Sequence, residues 1–152
     1  MLKNDALISL RPSLLADAPS ESGTGWIMPY KADFDPDDLD HMLICAEIAL
    51  EPSPDDVLAQ AIDQVWETLS LKPLSPLAAQ GYLEALSSIP SDLIWEAANG
   101  VMRTYVYPTP PKPAHFHEQI MEEMIDRRVI RHRIEIMKNQ KAYLKRLKEQ
   151  NQ

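Results

Sequence analysis

Five aspartates crowd into one short stretch, Asp33, Asp35, Asp37, Asp38 and Asp40. Their spacing first suggests an oxygen cage for calcium. A calcium loop of that kind needs glycine at its sixth position and a bidentate glutamate at its twelfth. Counted from Asp33, those places hold Asp38 and Ile44, so the motif fails. The acids are read instead as complements to the positive end of a helix. His115 and His117 lie two apart, on different faces of any helix, whereas helical zinc pairs stand four apart. His115 is read as a surface residue, and His41 and His132 add no ligand spacing. Cys45 stands among Leu43, Ile44 and Ile48, which predicts a buried, inert thiol. There is no phosphate-cradling glycine loop, nucleophile elbow or paired-carboxylate motif. The expectation is a protein without catalytic residues, metal or cofactor, and not an enzyme.

Residues suited to recognition are easier to find. Residues 1–126 carry 6 Lys/Arg and 21 Asp/Glu, while residues 127–152 carry 9 Lys/Arg and 2 Asp/Glu. The basic end is also patterned, with Val129-Ile130-Arg131, Ile136-Met137-Lys138 and Tyr143-Leu144-Lys145 recurring every seven residues. On a helix this makes an apolar seam flanked by charge. Three readings are open. The end could be a merely solvated helix, or could bind nucleic acid through Arg127, Arg128, Arg131, Arg133, Lys138, Lys141, Lys145, Arg146 and Lys148. Or it could dock on a protein through Val129, Ile130, Ile134, Ile136, Met137, Tyr143, Leu144 and Leu147, with Arg131, Lys138 and Lys145 choosing an acidic rim. A phosphate binder needs no apolar seam, so protein docking is favoured. Self-association, or folding back on the chain's own acidic body, stays open.

The elements that must position these residues are punctuated by thirteen prolines against four glycines. Residues 1–34 read as an irregular arm, in which Trp26 and Tyr30 form a second candidate docking site. Asp35-Pro36, Ser53-Pro54, Ser75-Pro76 and Ser91-Asp92 each signal a helix start, followed by apolar residues at helical spacing. Trp66 falls on the apolar side of the second helix and Trp95 beside that of the fourth. Gly100, inside the fourth, is read as allowing a neighbouring helix to come close; a break at Asn99-Gly100 is the other reading. After the stiff Pro108–Pro113 connector, a last helix runs from near Ala114 to about Gln150. The fold class is therefore all-α: an arm (1–34), a helical domain (35–126) and a basic heptad-patterned extension of the last helix (127–152). The single cysteine, the lack of a long apolar run and the broken N-terminal pattern predict a cytoplasmic protein with no membrane contact.

Residues 82–116, YLEALSSIPSDLIWEAANGVMRTYVYPTPPKPAHF, carry a further pattern. A short leucine-rich helix, an Ile-Pro turn, a helix with small residues, then an aromatic, Pro-Thr and a new helix resemble the helical unit of phage replicative-helicase loader and inhibitor proteins. Leu83, Leu86, Ile89, Leu93 and Pro108 carry most of this. The resemblance implies a small, non-enzymatic, all-helical protein that binds the host's hexameric replicative helicase through a C-terminal segment, the place the basic heptads occupy. The regular heptads depart from the poorly ordered tail of such proteins, and the arm with Trp26 has no counterpart. The resulting expectation is a phage protein-interaction module, a helicase loader or inhibitor in the bacterial cytoplasm. The alternatives are an acidic nucleic-acid mimic that blocks a host or defence nuclease complex, working through Asp33–Asp40 and Asp55–Asp56, and a homo-oligomeric interaction protein. Nucleic acid enters only through the basic tail.

Overall fold

The computed structural model describes residues 11–12, 14–15 and 36–152. Among these the fold is all-α, with five helices: α1 (Pro36–Ile48), α2 (Asp55–Thr68), α3 (Pro76–Leu86), α4 (Ser91–Thr104) and α5 (Pro113–Gln150). Arg11, Pro12, Leu14 and Leu15 are also helical. Trp26, Tyr30, Asp33 and Asp35 lie outside the described residues, as does most of the arm.

Two compact units divide the chain differently from the three segments read in the sequence. One is Leu50–Met124; the other joins Met1–Ala49 to Ile125–Gln152. The reason is α5, whose 38 residues span about 57 Å at the helical rise. Its first turns complete one core and its later turns another.

In the unit Leu50–Met124, α2, α3, α4 and the start of α5 enclose Leu58, Val65, Leu86, Ile94, Ala97 and Phe116, all fully buried. The start signals work by different means. Ser75 caps α3, its hydroxyl accepting from the Ala78 N–H at 3.2 Å, with Pro76 in the first helical position. Pro54 and Pro90 stand at the caps of α2 and α4 without side-chain cap bonds. Ser53 is not a cap. It is buried, and its hydroxyl and N–H both donate to the Ile89 carbonyl, at 2.5 and 3.1 Å. This joins the chain entering α2 to the turn entering α4.

Gly100 lies inside an unbroken α4 and is buried. A Cβ there would come within 2.3 Å of the Gln119 side chain on α5, and Gln119 Nε2 donates to Thr104 Oγ1 at 3.3 Å. The glycine thus admits a close neighbour, as its position predicts. His115 does more than sit on the surface: its Nδ1 accepts the Lys112 N–H at 2.8 Å and secures the start of α5. The His117 ring pairs with the Ala85 carbonyl at 2.9 Å, and Tyr82 donates to the Pro111 carbonyl at 2.8 Å.

In the other unit, α1 runs antiparallel to the later part of α5. Leu39, Met42 and Ala46 close on Ile130, Ile134 and Met137, with Leu14 sealing the same cluster. Cys45 is only half-buried, and its neighbours Ile44 and Ile48 are exposed, because α1 buries the stripe Leu39–Met42–Ala46 instead.

Candidate functional site

The heptads of α5 are used in two ways. Ile130, Ile134 and Met137 recur at spacings of four and three, as do Leu39, Met42 and Ala46 reversed. Such spacing keeps one apolar line along each helix, and two lines interlock as a coiled-coil seam. The flanks carry charge. Arg131 reaches Glu47 at 3.6 Å and Lys138 reaches Asp40 at 2.5 Å, the pairs lying seven residues apart on both helices. Arg131 also meets Glu135 at 3.5 Å, one turn on. Arg127 donates to the Ala49 carbonyl at 2.7 Å, just past the end of α1, where carbonyls lack helical partners. Arg133 donates to the Leu14 carbonyl, and Arg11 pairs with Asp126 at 3.6 Å.

The sequence-predicted docking residues therefore separate. Ile130, Ile134 and Met137 are closed off within their own unit, and Val129 and Ile136 are half-buried beside them. Arg131 and Lys138 hold α1. Of the openings left by sequence reasoning, folding back describes these two heptads, since an apolar seam in water is covered by the nearest matching stripe. Trp26 and Tyr30 lie outside the described residues.

The third heptad is different. Continuing the Lys138–Asp40 register sets Ala142 level with Pro36, where α1 begins. Tyr143, Leu144 and Leu147 lie past that point and are 58%, 51% and 37% exposed. They occupy positions i, i+1 and i+4, one side of the helix, among exposed Lys145, Arg146 and Lys148. The site is an apolar strip with basic flanks on a continuous helix. It can recognise a groove of opposite character, and it carries no nucleophile or acid–base pair.

A concave feature, not foreseen from sequence, lies between α2 and α3. It is a cavity of about 390 Å³ whose apolar wall includes Ile62, Trp66, Leu71, Leu74 and Leu83. Trp66 is buried, packs edge-on against Tyr82 with centroids 5.2 Å apart, and its indole N–H has no acceptor among the described residues. Burial, with Tyr105 adding to it, raises the Tyr82 phenol above its ordinary 10.0. Trp95 is half-buried and lines a separate shallow hollow with Asp92, Glu96 and Arg103. No group of three or more His, Cys, Asp or Glu is placed to hold a metal among the described residues. No helix among them is long and apolar enough to cross a membrane.

No protein-family model, curated protein or solved structure matches this chain. The class its own structure defines is an all-α helical protein with a long C-terminal helix.

Proposed function

We infer that the protein is a non-enzymatic protein-interaction module that docks through the C-terminal end of α5. One observation carries this: Tyr143, Leu144 and Leu147 stay exposed on a regular helix, while the two preceding heptads are covered. An apolar helix face with anchors at i, i+1 and i+4 suits an apolar groove, and Lys145, Arg146 and Lys148 favour an acidic rim. The resemblance of residues 82–116 names the partner to try first, the bacterial replicative helicase, with the chain acting as a phage loader or inhibitor in the host cytoplasm. Nucleic-acid binding is less favoured, because Arg127 and Arg133 serve carbonyls and Arg131 and Lys138 serve carboxylates. The acidic-mimic reading loses Asp40 to the ion pair with Lys138.

The test is capture of purified helicase hexamer by the intact chain and by a Leu144→Asp/Leu147→Asp variant. Both positions are exposed, so helix content should not change. The intact chain should retain helicase and the variant should lose it. Absence of capture by the intact chain removes the helicase as partner; equal capture by both removes the α5 end as the docking element.

A further inference from the structure

The cleft between α2 and α3 has its own electrostatic character. Asp63 and Glu67 line it one helical turn apart, both exposed, and neither has an ion-pair partner among the described residues. The turn that closes it is fixed. The Ser70 N–H donates to the Glu67 carbonyl at 3.1 Å and the Leu71 N–H to the Trp66 carbonyl at 2.9 Å, with Ser70 held at φ 54°. A non-glycine residue in that region is uncommon, and here it turns the chain so that Leu71 and Leu74 complete the apolar wall. A volume of about 390 Å³ lies within the range of sites that take compact apolar groups. An apolar cleft with two unneutralised carboxylates calls for an occupant with apolar anchors and flanking cations.

The end of α5 has that composition. We propose that the cleft receives the C-terminal end of α5 from a second copy of this chain, with Tyr143, Leu144 and Leu147 against its apolar wall and Lys148, at the edge of that strip, beside Asp63 and Glu67. The proposal rests on reading that helix end as a docking element, and adds an occupant that competes with any other partner. Because the two surfaces differ, each copy offers one tail and one cleft, so two copies close as a reciprocal pair if both contacts form at once and otherwise leave one tail and one cleft for further copies. Either way the chain self-associates, and salt weakens this by screening the exposed charges.

Sedimentation of the purified intact chain, from micromolar to millimolar, reads this directly. The mass should rise with concentration from that of a monomer to that of a dimer or larger, and fall back with added salt. The tail variant Leu144→Asp/Leu147→Asp and a cleft variant Asp63→Lys/Glu67→Lys should each self-associate at least about tenfold more weakly. Mixed in equal amounts, the two variants should form dimers and nothing larger, since only one tail and one cleft remain intact. Adding Lys148→Glu to the cleft variant should restore part of the association. An intact chain that stays monomeric overturns the proposal. So does association that ignores either variant, or a mixture that fails to pair. The outcome is separable from the helicase test. The cleft variant should lose self-association yet still capture helicase. Self-association without helicase capture removes only that partner.

Discussion

The two halves of α5 face their cores with different spacings, and the difference sets how each core is held. Phe116, Ile120 and Met124 recur every four residues and enter a core shared with three other helices. Steps of four drift around a helix and suit crossing packings with several neighbours. Ile130, Ile134 and Met137 alternate steps of four and three, which stay in line and suit one antiparallel neighbour. The multi-helix core is tied by side-chain hydrogen bonds to carbonyls, Ser53 to Ile89, Tyr82 to Pro111 and His117 to Ala85. The two-helix seam is tied by cations: Arg127 on a carbonyl, Arg131 and Lys138 on carboxylates. One unit should thus answer mainly to packing, and the other to packing and salt.

Core truncations should break the comparison most sharply. Phe116 is fully buried, so Phe116→Ala should cost about 3–5 kcal/mol, a large part of a typical domain's stability. Ile134 is equally buried, and Ile134→Ala should cost about 2–5 kcal/mol. The sites of damage should differ. Amide exchange should show Phe116→Ala stripping protection from α2, α3 and α4, and Ile134→Ala stripping it from α1. If Ile134→Ala exposes α2 and α4 as much as α1, the two cores are one cooperative structure and the contrast fails.

This division was only half legible in the chain. Helix starts at Pro36 and Ser75-Pro76 follow from local chemistry, because caps and prolines act within a turn of where they stand. Gly100 was legible for a similar reason, since an exception inside a periodic helix implies a close neighbour. The heptads spell an apolar seam, but a seam does not say what covers it. That α1 takes Ile130, Ile134 and Met137 depends on the matching stripe Leu39–Met42–Ala46, more than eighty residues away in sequence. Ser53 misled because a serine before proline resembles a cap, whereas its partner Ile89 is thirty-six residues distant. The α2–α3 cleft left no local signal, since its wall comes from two helices and the turn between them.

Tyr82→Phe tests the ties to carbonyls with a smaller effect. It removes the hydrogen bond to the Pro111 carbonyl and should cost about 0.5–1.5 kcal/mol. It should also remove an alkaline sensitivity. Burial first, and Tyr105 second, raise the Tyr82 phenol above 10.0, so the folded chain holds that proton more tightly than the unfolded chain. Its contribution is full below pH 10.0 and is lost as pH rises from there through the folded value. Urea midpoints measured from neutral to strongly alkaline pH should fall more steeply for the intact chain than for Tyr82→Phe. Parallel curves would mean that Tyr82 ionises as freely folded as unfolded.

The smallest effect should come from the Lys138–Asp40 pair, and its salt dependence matters more than its size. Both side chains are about half exposed, 46% and 51%, so the contact of 2.5 Å is shared with water. Lys138→Met should cost only about 0–1 kcal/mol at low salt. At about 1 M salt the screening length shrinks to roughly 3 Å and most of that difference should vanish. Phe116→Ala should keep its full cost under the same conditions, because no charge is involved. Exchanging the charges, Lys138→Asp with Asp40→Lys, should return stability to near that of the intact chain if the pair acts as a direct contact. If the exchanged chain stays as weak as Lys138→Met, then Lys138 acts instead through its methylenes lying along the seam, and the cationic ties of that unit reduce to Arg127 and Arg131.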